Sequence, residues 1–299
     1  MKRSFRSLLF FALAASFLTV TAFADMGPKD QLAVKVVNAP EEPYYLDILA
    51  EGNYADDESP FDGIEWSYNE TEAAALDEAL LSALRAAIPE GWHGCVSQGS
   101  TGAPMWGDLY PEEWEVDGNP LHTFGYHGVP RTYRILMVTA SGETYLSGVL
   151  QRQALQCSAT VDWAARSVAA PSILTAYALQ FLSTFLPTLA LELVLLAAFR
   201  LWNRKNLLVF FLTNLATQGA LCLYFAVSVV RTGAGFGYLL LLVPAEAVIL
   251  LVEAVVYRRW FINCTNGRAT GYAVAANLCS AVVGYAIMEP VWRFVVSIS

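Results

Sequence analysis

The chain has 299 residues, of which 56% are hydrophobic and only 15% are charged, a composition too apolar for an ordinary soluble protein. Residues 25–170 contain 23 Asp and Glu against 7 Lys and Arg, a net charge of −16, whereas residues 171–299 contain 4 against 8, a net charge of +4. This break predicts two parts in different surroundings, and the acidic part should repel nucleic acid rather than bind it.

The N-terminus has the three regions of an export signal. Basic side chains come first, an apolar stretch follows over residues 8–20, and Ala22-Phe23-Ala24 fits the small-residue rule for cleavage. The pattern predicts a signal peptide over residues 1–24 and a mature chain that begins at Asp25. The alternative is an uncleaved signal anchor. Either arrangement delivers the residues that follow to the outside of the membrane.

Residues 25–170 are predicted to form an acidic exported domain of mixed, mainly β (α+β) structure. A run that starts at Leu32 alternates apolar and polar residues, as a strand with one buried face does. Asn69 and Glu72 have the spacing of a capping box and open a helix that is predicted to continue through Ile88. We expect a small antiparallel sandwich or sheet packed by this helix, with further strands at residues 44–49, 121–126, 132–139 and 144–150.

Two of the five cysteines, Cys95 and Cys157, belong to the exported domain. Exported proteins are located in an oxidising compartment, where two cysteines more often form a disulfide than remain free thiols. The sequence therefore makes Cys95 and Cys157 the candidate disulfide. The alternative is that both remain free thiols.

Residues 171–299 are predicted to form an all-α transmembrane bundle of about four helices. A helix needs about 20 apolar residues to cross the hydrocarbon layer of a membrane. Three stretches of the chain meet this requirement, and a fourth begins as a run of 17 uncharged residues at Tyr272 that reaches the required length when it is extended to Trp292. They lie at residues 177–199, 207–230, 236–256 and 272–292.

The basic residues between these stretches predict their orientation. The first connection contains Arg200, Arg204 and Lys205 and the third contains a further three arginines, whereas the second contains only Arg231. Short cytoplasmic loops carry an excess of Lys and Arg. The first and third connections should therefore lie in the cytoplasm. This places both the N-terminal domain and the C-terminus outside the cytoplasmic (plasma) membrane.

Polar side chains recur within these apolar stretches, and several of them share a helix face. A charged side chain at the centre of a bilayer costs roughly 2.5–3.5 kcal/mol on insertion scales, so such residues should face the interior of the bundle. Most of them are predicted to lie in its cytoplasmic half. The candidate binding residues are Glu192, Asn214, Thr217, Gln218, Glu246, Glu253 and Asn277.

Two interpretations of these residues remain open. Amides and protonated carboxyls can hydrogen-bond between helices for about 0.6 kcal/mol each and so hold a bundle together. The alternative is that these residues bind a proton, a cation or a small solute, because holding helices together does not require three glutamates. No cofactor or metal motif is present, and no histidine lies in any predicted span.

Several short motifs resemble a group of uncharacterised multi-pass membrane proteins from Gram-positive bacteria, which have a signal peptide and an N-terminal extracellular domain. The resemblance covers most of the chain and implies an architecture without implying a mechanism. The motifs are Asp25-Met26-Gly27-Pro28-Lys29, Phe124-Gly125-Tyr126, Pro130-Arg131-Thr132-Tyr133-Arg134, Leu191-Glu192, Asn214-Leu215-Ala216-Thr217-Gln218, and Glu246 with Glu253.

The sequence favours an envelope protein without catalytic activity, in which the exported domain senses or binds something and the helices anchor it in the lipid bilayer. The first alternative is an ion- or solute-coupled transport module. Four helices are few for a transport path, so that alternative would require a homo-oligomer or a partner membrane subunit. The second alternative is an intramembrane enzyme, although no catalytic residues can be assigned.

Overall fold

A computed structural model of the chain consists of a mixed α+β sheet region followed by long helices. The predicted signal peptide and the Asp25–Lys29 motif lie outside the described part. The described residues are 30–52, 64, 67–99, 101–113, 115–126, 128–152, 154, 156–232 and 237–298.

Within the described residues, nine strands form two sheets in the N-terminal region. The first sheet has the strand order β4-β1-β8-β9, and the second has the order β3-β2-β5-β6, with β7 also paired to β5. The strands are β1 (Gln31–Val37), β2 (Tyr44–Glu51), β3 (Trp92–Gly94), β4 (Leu121–Gly125), β5 (Thr132–Thr139), β6 (Thr144–Leu146), β7 (Leu150–Gln151), β8 (Gln156–Asp162) and β9 (Ser167–Ala169).

The two sheets share one hydrophobic core. Leu32 and Val34 from β1 and Phe124 from β4 belong to the same buried cluster as Ile48 from β2 and Ile135 from β5. The pairing of β1 with β8 is parallel, whereas the other pairs are antiparallel. The sequence-based expectation of an antiparallel arrangement therefore needs correction at this one pair.

The predicted helix after residue 69 is two helices, α1 (Glu70–Ala75) and α2 (Glu78–Ala86). The capping box that opens α1 is confirmed, because Asn69 accepts hydrogen bonds from the backbone and Glu72 bonds back to the Asn69 N–H. Asp77 interrupts the run by capping α2, accepting a 3.0 Å hydrogen bond from the Leu80 N–H. Helix α2 then packs against β2 and β5.

Both cysteines of the candidate disulfide are free thiols. Cys95 follows β3 in the second sheet, and Cys157 lies in β8 of the first sheet. The Cys95 thiol lies near the carbonyl oxygen of His93, and the Cys157 thiol lies near the carbonyl oxygen of Gln31. The predicted Cys95–Cys157 disulfide is therefore absent from the structure, and each thiol lies near a carbonyl oxygen instead.

The sheet region buries an ion pair and a carboxylate. Asp30 and Arg152 approach to 2.7 Å, and Arg152 also donates to the carbonyl oxygens of Val129 and Ala154. Burial raises the pKa of Asp30 to about 6, although Arg152 acts in the opposite direction. Asp47 is completely buried in β2 and accepts hydrogen bonds from the backbone of residues 96 and 97 and from the Ser97 hydroxyl. Both groups join segments that are distant in sequence.

In the described part of the chain, four helices follow the sheets: α3 (Ile173–Ala198), α4 (Arg204–Thr232), α5 (Gly237–Trp260) and α6 (Asn266–Ile298). Helix α3 packs against α4 and α6, and α5 packs against the same two helices, so the four form a closed bundle. Two segments, Tyr177–Ala198 and Arg204–Tyr224, are long and apolar enough to cross a membrane, and only 17% of each apolar window is buried. That search covers the described residues only.

Asn206 joins the two connections at one end of the bundle. Its Nδ2 donates to the carbonyl oxygens of Leu201 (3.0 Å) and Ile262 (3.2 Å), and its Oδ1 accepts from the Ile262 N–H (2.9 Å). Leu201 belongs to the α3–α4 connection and Ile262 to the α5–α6 connection. One fully buried amide therefore holds both connections side by side.

We predict that His122 makes the sheet region sensitive to acid. Burial lowers the pKa of His122 to about 4, whereas a histidine in the unfolded chain takes up its proton near pH 6.5. Between these values the unfolded chain binds more protons, so the free energy of unfolding should fall by about 3 kcal/mol as the pH is lowered. Thermal unfolding of wild type and His122→Gln as a function of pH tests this prediction, since the variant lacks this contribution.

Tyr44→Phe is the matched control, because it removes the hydroxyl that lies 3.2 Å from His122 Nε2 but leaves the imidazole in place. We expect this variant to retain the acid-dependent loss of stability. An equal pH dependence in wild type and His122→Gln would contradict the prediction.

Candidate functional site

The polarity of the bundle is inverted relative to that of a water-soluble protein. Glu192, Asn214 and Glu253 are only 2%, 0% and 1% exposed, although their side chains are polar. Large apolar side chains occupy the outer surface of the same helices. Examples are Leu186 and Val194 in α3, Leu212 and Leu223 in α4, and Leu251 and Val255 in α5. The buried polar groups of the bundle therefore depend on one another for hydrogen bonds.

Six residues from all four helices make up what we call the carboxyl cluster: Glu192 in α3, Asn214 and Thr217 in α4, Glu253 in α5, and Asn277 and Ser280 in α6. Five of them were predicted from the sequence, and the structure brings those five together. Ser280 is an addition to the predicted set.

Glu253 connects three helices. Asn277 Nδ2 donates a 2.7 Å hydrogen bond to Glu253 Oε2 and a 3.0 Å bond to the Ala273 carbonyl oxygen of its own helix. The Thr217 hydroxyl lies 3.1 Å from Glu253 Oε1 and 3.0 Å from the Thr213 carbonyl oxygen. Both carboxyl oxygens of Glu253 thus have a polar partner from a neighbouring helix.

Glu192 connects α3 with α6. The Ser280 hydroxyl donates to Glu192 Oε1 at 3.2 Å, and the Tyr272 hydroxyl donates to the Glu192 carbonyl oxygen at 3.2 Å. The second carboxyl oxygen, Oε2, is buried and has no hydrogen-bond donor among the described residues. The carboxyl group of Glu192 is therefore less completely bonded than that of Glu253.

Asn214 lies beside Glu192 and is itself incompletely bonded. Its Nδ2 donates to the Phe210 carbonyl oxygen at 3.3 Å and to the Tyr257 hydroxyl at 3.0 Å. The Asn214 side chain is within hydrogen-bonding reach of the Glu192 carboxyl group. Its Oδ1 is buried and, within the described part of the chain, finds no donor.

An aromatic layer separates the carboxyl cluster from the two connections that Asn206 joins. The rings of Tyr257 and Phe261 stack with centroids 4.6 Å apart, and Tyr272 lies 5.4 Å from Tyr257 and 5.9 Å from Phe261. Tyr257 is one helical turn beyond Glu253 toward the α5–α6 connection. Sequence reasoning missed both tyrosines, although the spacing of Tyr257 from Glu253 places it on the same face.

Gln218 and Glu246 were predicted to belong to the same site, but no hydrogen bond joins them to the cluster in the described part of the structure. Gln218 is half-buried in α4. Glu246 is exposed on α5, two turns away from Glu253. Gln218 is four residues from Asn214 and Glu246 is seven from Glu253, so each shares a helix face with a cluster residue. Both lie farther from the Asn206 end of the bundle than the cluster does, and sharing a helix face does not by itself produce a contact.

Neither carboxyl group of the cluster has a basic partner in the described residues. The salt bridges found there join Arg152 to Asp30 and Arg166 to Glu143, and both lie in the sheet region. No group of three or more His, Cys, Asp or Glu side chains is arranged to hold a metal ion in the part that the structure describes. The polar partners of Glu192 and Glu253 in the cluster are therefore amide and hydroxyl groups.

The sheet region has a separate open groove between α1 and α2, with a volume of about 390 Å³. Ala73, Leu76 and Leu81 provide apolar surface, and Glu78 and Arg85 provide opposite charges. Arg85 is held in place because its Nε donates a 2.8 Å hydrogen bond to the Ser97 carbonyl oxygen.

Comparisons with known proteins give no relative for this chain. No protein-family model matches it, and neither a curated protein nor a solved structure does. The geometry of the bundle and of the sheet region is therefore the basis for the proposals that follow.

We predict that Glu253→Ala destabilises the bundle more than Glu246→Ala does. The first substitution leaves Asn277 Nδ2 without one of its two acceptors and opens a space among buried polar groups. The expected cost is about 1–3 kcal/mol for each buried polar group left unpaired. Thermal unfolding of the detergent-solubilised variants measures it.

The matched control is Glu246→Ala, which removes the same atoms from an exposed position of the same helix. It should unfold close to the wild-type temperature. Equal destabilisation by the two substitutions would show that the hydrogen bonds of Glu253 contribute nothing specific to the bundle.

Proposed function

We propose that this chain is an integral protein of the cytoplasmic membrane, in which all four helices α3–α6 span the lipid bilayer. The observation that carries the proposal is the inverted polarity of the bundle, with apolar side chains outside and carboxyl groups inside. Helices α5 and α6, with 24 and 33 residues, would be about 36 Å and 50 Å long at 1.5 Å per residue, enough to cross a hydrocarbon core of about 30 Å.

The orientation that we propose rests on the end of the bundle held by Asn206. Its two connections contain or adjoin six basic residues, and a cytoplasmic location for them agrees with the positive-inside rule. An even number of spans then places the sheet region and the C-terminus outside, with residues 1–24 acting as the export signal. The six basic residues are Arg200, Arg204, Lys205, Arg258, Arg259 and Arg268.

The function that the geometry supports best is that of a non-catalytic envelope protein, in which the outer domain binds or senses a ligand and the bundle anchors it. The groove between α1 and α2 is the candidate binding surface of that domain. Only three residues separate the end of β9 at Ala169 from the start of α3 at Ile173, and Ser172 caps the helix. Because this connection is so short, a movement of β9 would reach the helix that contains Glu192.

A second candidate function is an ion- or solute-coupled transport module. The observation that favours it is the pair of buried carboxyl groups, Glu192 and Glu253, without a described basic partner. This version requires a second copy of the chain or a partner membrane subunit to complete a path. The resemblance to multi-pass Gram-positive proteins agrees with the proposed architecture but does not favour either function.

We predict that single cysteines in a cysteine-free background will report the proposed topology. A cysteine at Glu115→Cys, an exposed position of the outer domain, should react with a membrane-impermeant thiol reagent in intact cells. The native Cys264, in the α5–α6 connection, should react only after the cells are permeabilised. Reaction of Cys264 in intact cells would contradict the proposed orientation and indicate the opposite one. Release of the protein from membranes by alkaline carbonate would contradict membrane insertion.

A flux measurement separates the two candidate functions. In proteoliposomes, we expect the protein to dissipate a pH or Na⁺ gradient no faster than protein-free vesicles do, because a binding and sensing protein needs no path across the bilayer. The double variant Glu192→Gln/Glu253→Gln is the control. A gradient-driven flux in wild type that the control lacks would favour the transport module instead.

A further inference from the structure

The end of the bundle at Asn206 presents a concentration of positive charge to its surroundings. Six basic side chains of the two connections and the adjoining helix ends are exposed, and none of them forms a salt bridge within the described part of the chain. The sequence supplies no acid in these segments either, because residues 193–245 and 254–288 contain neither Asp nor Glu. The six side chains are those of Arg200, Arg204, Lys205, Arg258, Arg259 and Arg268.

The two connections form one surface because the buried side chain of Asn206 is bonded to both. It donates to the carbonyl oxygen of Leu201, which follows Arg200 directly, and it exchanges two hydrogen bonds with the backbone of Ile262. The basic residues of the α3–α4 connection are therefore held beside those of the α5–α6 connection. A negatively charged group that approaches this end of the bundle meets charges from both helix hairpins.

Arg200 carries its charge in a backbone conformation that favours glycine. Its φ is 57°, in the left-handed region. The Arg200 N–H donates to the Ala197 carbonyl oxygen at 2.9 Å, and the Leu201 N–H donates to the Leu196 carbonyl oxygen at 3.0 Å. These are the two bonds of the Schellman motif, in which glycine is the usual left-handed residue because a side chain is strained there. The stability of the helix end therefore does not explain an arginine at this position, whereas a need for positive charge on the surface does.

Two exposed tryptophans indicate what lies against this surface. Trp202 in the α3–α4 connection is 57% exposed, and Trp260 at the end of α5 is 52% exposed. Tryptophan rings concentrate at the level of the lipid head groups, where an apolar layer meets water. Basic side chains next to these rings would lie at the depth of the lipid phosphates. Exposed indoles among arginines fit a head-group layer better than they fit an acidic protein in water.

We propose that this basic end of the bundle is a docking surface for the phosphate groups of anionic phospholipids in the cytoplasmic leaflet. The inference rests on the proposed membrane location and orientation, and it adds a partner of defined chemistry. A guanidinium group can donate two parallel hydrogen bonds to a phosphate, and Lys and Arg clusters on the cytoplasmic side of a membrane attract anionic lipids. Because both connections contribute charges, removal of a charge from either one weakens the binding.

Native mass spectrometry of the full-length protein in neutral detergent, which counts bound lipid molecules, tests the proposal. The probes are short-chain phosphatidylglycerol and phosphatidylcholine of the same chain length, and we expect saturable binding of the first only. Arg200→Gly and Arg268→Gln should each weaken that binding about fivefold, the loss expected for one basic residue near an anionic lipid. Arg200→Gly should also unfold at or above the wild-type temperature without lipid, because glycine adopts a positive φ freely.

Asn263→Gly is the matched control for the backbone, since Asn263 has a φ of 58° in the other connection but carries no charge. Arg231→Gln is the matched control for charge, since Arg231 lies near the opposite end of α4. Both variants should bind phosphatidylglycerol as wild type does. Equal binding of the two lipids, or equal affinities of Arg200→Gly and Arg231→Gln for phosphatidylglycerol, would overturn the proposal.

Soluble polyglutamate distinguishes an acidic protein partner from a lipid. Tighter binding of polyglutamate than of phosphatidylglycerol would assign the surface to an acidic protein and would also overturn the proposal. All of these measurements use purified protein in micelles. Failure of the proposed membrane location would appear instead in the carbonate extraction, and the opposite orientation would appear in the labelling of Cys264.

Discussion

The arrangement of the bundle depends on one constraint, which is that polar side chains enclosed by apolar helices must find their hydrogen-bond partners among themselves. Glu253 meets it by joining α4, α5 and α6 through Thr217 and Asn277. Glu192 meets it with one of its two carboxyl oxygens, which joins α3 to α6 through Ser280, whereas its Oε2 has no donor among the described residues. Any rotation of one helix about its axis would separate these partners. The carboxyl groups therefore fix the mutual orientation of helices whose leucine- and valine-rich surfaces offer little specificity.

The local part of the fold could be predicted from the sequence because its signals are short-range. Alternation identified β1, and the Asn69–Glu72 spacing identified the start of α1. The break at Asp77 was missed because the Ala/Leu pattern continues across it, and only the cap geometry shows that a second helix begins. Strands β8 and β9 and the parallel pairing of β1 with β8 were missed as well. That pairing joins segments more than 120 residues apart, and no local pattern encodes it.

The candidate site was predictable to the extent that helical periodicity determines it. Five of the seven predicted residues meet because each one lies on the inward face of its own helix. Helical periodicity predicts which face of a helix a side chain occupies, but it does not predict whether that side chain contacts a neighbouring helix. It therefore could not exclude Gln218 and Glu246 from the predicted site. The tyrosines of the aromatic layer, Tyr257 and Tyr272, resemble apolar residues in a hydropathy pattern, and their hydroxyl groups become informative only next to their partners. The Cys95–Cys157 pairing was wrong because cysteine number contains no distance information.

The Asn206 amide has a mechanical consequence for the whole bundle. Two hydrogen bonds join Asn206 to Ile262 of the α5–α6 connection, and a third joins it to Leu201 of the α3–α4 connection, so the two helix hairpins are attached to each other at that end. The stacked rings of Tyr257 and Phe261 add apolar packing at the same end of the bundle. The two hairpins are therefore tied together at one end of the bundle, and α3 begins at the other end, next to β9. A change in the distance between the hairpins would be largest at that second end, close to the sheet region.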